Sequence, residues 1–283
     1  MKSLLGLAII CIFFLTIPGE RFKKLLTKSR EFFAFDSKDI NGTSFEEIEY
    51  YNAWNRREFS EPYSINRSDS VSKTGKYSAR FELRSKDPLV ESGTRSEMVW
   101  NYEKSNKIER WYSFDVFLPN SFVKDEFYEI LAQWHESHDK DLGERPRSPP
   151  LALSTDGGNW VFTIMWAFDQ VNTNQTISGK RIVDLGPYKT NEWINWTFFM
   201  KYSYKSDGVL KIWKNDILVL DYKGPNYYND QKGPFFKVGI YKPHWNNKEK
   251  IFTIRKRVVF FDDVKVGKQL CNFNKIRSFI AEK

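Results

Sequence analysis

Apolar and polar residues alternate in short runs from Phe32 onward, and turn-forming residues separate the runs. The pattern is clear at residues 77–83, 111–118, 159–166, 193–204, 235–241 and 258–266. Side chains alternate faces along a strand, so each run buries one face and wets the other. Residues 209–220 read as a hairpin that reverses at Asn215-Asp216. No segment carries a long, capped period of 3.6, so helices are expected to be few and short. Many strands with no linker between them predict one all-β sandwich of two antiparallel sheets. Aromatic residues make up 17% of the chain, ample for such a core and too many for a disordered polymer.

The sandwich is expected to occupy residues 32–283. Residues 1–19 read as an export signal: Lys2 gives a positive start, residues 4–17 are almost unbroken apolar, and Pro18-Gly19 ends the run. The run is short for a membrane span, which needs about 20 residues. No clean small-x-small cleavage site follows it, so an uncleaved membrane anchor stays open beside a secreted or periplasmic product. Residues 20–31 are a basic linker. Once a signal is removed, Cys271 stands alone, which argues against an intramolecular disulfide, thiol chemistry and cysteine-bound zinc. A net charge of +8 favours a polyanionic partner. The basic residues are scattered and no nucleic-acid motif occurs, so nucleic acid is not expected as that partner.

Gln133-Trp134-His135 closes one apolar run. On a strand, Gln133 and His135 share a face, roughly 6–7 Å apart at ~3.3 Å per residue, and Trp134 points the other way. Such a pair suits a polar substrate and a proton transfer, and equally suits a strand end facing water. The segment that follows, residues 136–150, is polar, charged and proline-bearing. It reads as a long loop of the kind that borders binding sites, or as an ordinary surface loop.

Several landmarks then fall in order: Gly93-Thr-Arg-Ser-Glu-Met98, Ala132-Gln-Trp-His135, Trp193-Ile-Asn-Trp196, Gly208-Val-Leu-Lys-Ile-Trp-Lys-Asn215, Lys237-Val-Gly-Ile-Tyr-Lys242 and Val259-Phe-Phe-Asp-Asp-Val-Lys-Val-Gly267. The ordered set, from about Phe45 to Gly267, resembles the polysaccharide lyases of the heparin lyase I and glucuronan lyase type. The resemblance implies a β-jelly-roll with a concave groove for an acidic glycan, cleaved by β-elimination. That chemistry needs the uronate carboxylate neutralised, a base for the C5 proton and an acid for the departing O4. The matching positions are Arg95 and Gln133 for the carboxylate, His135 as the natural base, and Tyr241 as acid, or as base if cations lower its pKa. Lys237 lies about 13 Å along its strand from Tyr241, at ~3.3 Å per residue, and is expected to hold a neighbouring sugar acid.

Around these, Trp245, with Trp100 and Trp166, is a candidate for stacking on sugar rings, and His244 for reaching the groove. The resemblance also suggests a structural calcium near Asp262 and Glu46, although two carboxylates in a sequence are weak evidence for one. No organic cofactor is expected, and a monomer is. Two rivals remain. A lectin-like jelly roll would keep the groove without acid or base. A glycoside hydrolase would need facing carboxylates, such as Glu97 with Asp115 or Glu129.

Overall fold

The computed structural model describes residues 39–279, so the segments read as signal and linker lie outside the described residues. In chain order the strands are β1 (Ile40–Thr43), β2 (Arg56–Glu58), β3 (Ile65–Ser68), β4 (Ser78–Arg84), β5 (Arg95–Tyr102), β6 (Glu109–Phe117), β7 (Glu129–His135) and β8 (Leu151–Asp156). They continue as β9 (Asn159–Trp166), β10 (Gly179–Pro187), β11 (Trp193–Lys201), β12 (Val209–Lys214), β13 (Ile217–Lys223), β14 (Phe235–Tyr241) and β15 (Lys256–Gly267). One short helix, α1 (Phe273–Ser278), follows, capped by the Asn272 side chain, which accepts from the Lys275 amide at 2.9 Å.

All pairings between these strands are antiparallel, and they form two sheets. One runs β13-β12-β11-β6-β15-β4-β3, with β1 also on β15; the other runs β10-β9-β8-β7-β14-β5-β2. The result is the expected all-β jelly-roll. Strand β9 shows how alternation builds it. Trp160, Phe162 and Ile164 are wholly buried between the sheets, whereas Val161, Thr163 and Met165 line a cavity on the far side. Between the sheets, Trp134 packs on Phe198 at 4.8 Å and on Phe236 at 5.2 Å, and Phe114 packs on Phe198 at 5.6 Å. Burying each such side chain stabilises the fold by about 1.5–3 kcal/mol.

The β12–β13 hairpin turns where expected. Asn215 and Asp216 have φ of 49° and 66°, the left-handed pair of a two-residue turn that matches strand twist. Strand β10 is the edge that alternation did not reveal, because its exposed Lys180, Arg181 and Ile182 leave little apolar periodicity. Cys271 is a buried free thiol.

Candidate active site

Strands β7, β14 and β5 lie side by side within the second sheet. Trp134 points into the core, so Gln133 and His135 face outward. Antiparallel register sets Tyr241 opposite Arg95 and His135 opposite Phe235. The Arg95 guanidinium lies 4.4 Å over the Tyr241 ring, and the His135 imidazole stacks on Phe235 at 5.1 Å. Arg95, Gln133, His135 and Tyr241 all line one cavity of about 410 Å³. Tyr241 also pairs with Ile130, five residues before His135, which is about 16 Å of strand at ~3.3 Å per residue. The phenol and the imidazole therefore do not bond to one another, although both line the same cavity.

Two glycines shape this arrangement. Gly239, at φ 138°, sits where the β14–β7 register shifts, and a Cβ there would strike the Ser96 carbonyl oxygen. The resulting bulge aims Tyr241. At Gly93 a Cβ would lie 2.6 Å from Arg95 Nη2 and 2.7 Å from Tyr241 Cε2, so the absent side chain lets both settle.

Beneath the site is an ion network. Glu58 accepts from Lys237 Nζ at 2.7 Å, Arg56 Nε at 2.8 Å and Arg95 Nη1 at 3.3 Å. Arg95 Nη1 also reaches Glu97 at 3.2 Å. Gln133 Nε2 donates to Glu97, which fixes the amide's orientation and leaves Oε1 buried without a partner. Three cations thus share two carboxylates, an excess of one positive charge. Burial opposes ionisation of Glu58, but Lys237, Arg56 and Arg95 hold its pKa down to about 2.

His135 moves the same way for a different reason. Desolvation, then the nearby Lys237 charge, push it down to about 3, so the ring is neutral near pH 7. Its Nδ1 lies 3.1 Å from the Glu136 carbonyl oxygen. A carbonyl only accepts, so Nδ1 carries the hydrogen and Nε2 keeps its lone pair free to take a proton. Tyr241 Oη receives a hydrogen bond from Asn246 Nδ2 at 3.4 Å.

Other expected residues sit elsewhere. Lys237 lines the larger cavity at 2% exposure, with its ammonium on Glu58 at 2.7 Å and near Glu97 at 3.7 Å, so it helps hold both carboxylates in place. Trp245 is fully buried in the core, and no tryptophan lines either cavity beside the site among the described residues. His244 packs against Phe127 at 4.7 Å and lines neither cavity. The carboxylates named for a hydrolase do not face one another across the groove. Glu97 is locked in the ion network, Glu129 pairs with Lys242 and Arg257, and Asp115 is on the other sheet.

Glu46 and Asp262 are both held by backbone amides of the segment 73–77. Glu46 Oε1 accepts the amides of Lys76 and Tyr77 at 3.0 and 2.9 Å. Asp262 accepts those of Lys73 and Thr74 at 2.8 and 3.1 Å, and of Asp263 at 2.8 Å. Among the described residues no group of three or more His, Cys, Asp or Glu is arranged for a metal. The sequence offers Arg95 and Glu97 as a same-face ion pair, which the structure contains, but Glu58, Asn246 and the bond from Gln133 to Glu97 are not foreseen. No local motif marks these roles, which arise only when β2, β5 and the 243–246 turn are brought together.

A search of curated protein sequences finds no match. Among solved structures, the endo-β-1,4-glucuronan lyase of the fungus Trichoderma reesei is similar, with a TM-score of 0.66 at 17% identity over 80% of this chain and 94% of that one. An alginate lyase from Pseudomonas aeruginosa has a TM-score of 0.52 at 14% identity, over 77% of this chain and 99% of that one. At these identities the likeness shows the fold alone. A family model described as polysaccharide lyase matches residues 40–265, a span that runs from β1 into β15 and contains the whole groove sheet. On that match, the chain belongs to the polysaccharide lyase family.

Proposed function

We propose that this polysaccharide lyase cleaves an acidic, uronate-containing glycan by β-elimination. Arg95 and the excess positive charge beneath it neutralise the uronate carboxylate, which makes the C5 proton acidic enough to leave. His135 Nε2 takes that proton. The electron pair forms the C4–C5 double bond, the C4–O4 bond breaks, and the Tyr241 hydroxyl gives O4 its proton. Gln133 borders the site from its bond to Glu97, and Asn246 steadies the phenol. One observation carries this reading: a guanidinium, an amide, a neutral imidazole and a phenol, from three adjacent strands, line one cavity. Export on residues 1–19 and a monomeric state belong to the same proposal.

The test is a panel of polyuronates, followed by the ultraviolet absorbance of the new double bond. His135→Ala and Tyr241→Phe are each expected to lower kcat by about 10²–10⁴-fold, the usual contribution of a general acid or base. Because His135 is held near 3 in the free enzyme, kcat/KM should show no acid-side inflection near pH 6.5. Binding without absorbing ends would turn the reading to a lectin, and reducing ends without absorption to a hydrolase.

A further inference from the structure

The groove differs on its two sides. Glu91, Ser92, Arg95, His135 and Pro146 line both the cavity of about 410 Å³ and a second of about 900 Å³, so the two are arms of one groove meeting at the site. The smaller arm presents hydroxyls and amides, among them Ser148, Ser154, Thr163 and Asn174, and Lys180 is its one exposed lysine. The larger arm is bordered by Lys104, Lys140 and Lys232. These exposed lysines come from three separate connections, β5–β6, β7–β8 and β13–β14. None has an ion-pair partner among the described residues. Of the carboxylates lining this arm, Glu103 is paired with Arg110 at 2.7 Å, Glu58 with Lys237 at 2.7 Å and Glu136 with Arg147 at 3.7 Å, which leaves Glu91 alone to offset the lysines among the described residues. Surface lysines are ordinarily just solvated. Three that converge on one cavity repel one another, and anionic groups in that cavity relieve the repulsion.

Building on the lyase reading, we infer that the larger arm requires anionic sugars, read by Lys104, Lys140 and Lys232, whereas the smaller arm accepts uncharged ones. The preferred glycan then carries a run of acidic residues on one flank of the cleaved bond only. The chemistry read is negative charge, which carboxylate and sulfate both supply.

The experiment uses full-length protein and partially carboxyl-reduced glucuronan or alginate, whichever the wild type cleaves, with product sequences read by mass spectrometry. Leaving out the sugar that becomes unsaturated, which is a uronate in every cut, one new flank should be enriched in uronate, and the other should hold neutral sugars at the frequency of the starting polymer. The triple variant Lys104→Gln, Lys140→Gln, Lys232→Gln should erase the enrichment, raise KM about tenfold at low salt and flatten its salt dependence, with the loss in KM and not kcat. A matched triple at Lys189, Lys223 and Lys256, exposed outside both arms, controls for net charge. Repeating the cleavage on the reduced polymer after O-sulfation separates the sources. Sulfated neutral sugars accepted on the enriched flank mean that any anion serves; their rejection means that carboxylates are read. Equal flanks, or a triple variant with the KM of the control, overturn the inference alone. A wild type that yields no absorbing ends from either polymer overturns the lyase reading with it.

Discussion

Glu58 and Asp230 are carboxylates of nearly equal burial, 2% and 1% exposed, and each meets a basic side chain at about the same distance. Their proton affinities diverge. Glu58 is held down to about 2, and Asp230 is pushed up to about 7. Burial raises both, so the difference lies in the company. Glu58 draws on Lys237, Arg56 and Arg95. Asp230 shares one guanidinium, that of Arg147, with Glu144 at 2.6 Å and Glu136 at 3.7 Å. The ratio of cations to acids, more than depth, sets the charge of a buried group. Both networks bear on His135. Burial, helped by Lys237 of the cation-rich one, keeps the imidazole neutral, and that network carries an excess positive charge. The acid-rich one ties down residues 136–150, including the Glu136 whose carbonyl fixes the ring's tautomer.

Replacing Glu58 is therefore the heaviest blow to offer. Glu58→Gln leaves Lys237 with Glu97 alone, at 3.7 Å, and Arg95 with the same carboxylate. Breaking a buried network by removing one partner costs about 3–5 kcal/mol. Denaturant unfolding should show that loss, and activity should fall as Arg95 loses its anchor. The wild-type contribution of Glu58 is fully present above its unfolded pKa near 4.5 and disappears as pH drops toward about 2.

Asp230→Asn should be much milder, because an amide imitates the protonated acid. With a folded pKa above the unfolded 3.8, the native state binds the extra proton, so this group's effect on stability worsens as pH rises from about 4 through 7. The variant should lie within about 1 kcal/mol of wild type at pH 5, the worth of one ordinary hydrogen bond, and gain on it by pH 8. Equal costs for the two substitutions would mean that the number of partners does not separate these carboxylates.

The same contrast marks what could be read from the chain. Alternation revealed β9 and β14, and the Asn-Asp pair revealed the hairpin turn, because both depend on neighbours in sequence. It also gave the outward faces of Gln133, His135 and Tyr241. Depth was hidden. Lys237 faces the groove side as its strand position implies, yet it is sunk to 2% exposure beneath it. Trp245 sits in the short turn Pro243–Asn246, where no period tells inside from outside. Glu58 was unreadable for a stronger reason. Register sets it directly opposite Glu97, two like charges that pairing rules disfavour, and only cations from β2, β5 and β14 make the pair tolerable.

The smallest effect isolates desolvation from distance. Lys211 and Asp221 face each other across β12 and β13 at 3.1 Å, slightly closer than Arg95 and Glu58 at 3.3 Å. Their side chains are 39% and 52% exposed, so water and salt already screen both charges. Asp221→Asn should cost at most about 1 kcal/mol, and added salt should shrink even that. The free Lys211 ammonium simply returns to water, an escape that Lys237 and Arg95 lack. A loss comparable to that of Glu58→Gln would show that proximity alone governs these pairs, and the contrast between Glu58 and Asp230 would need another cause.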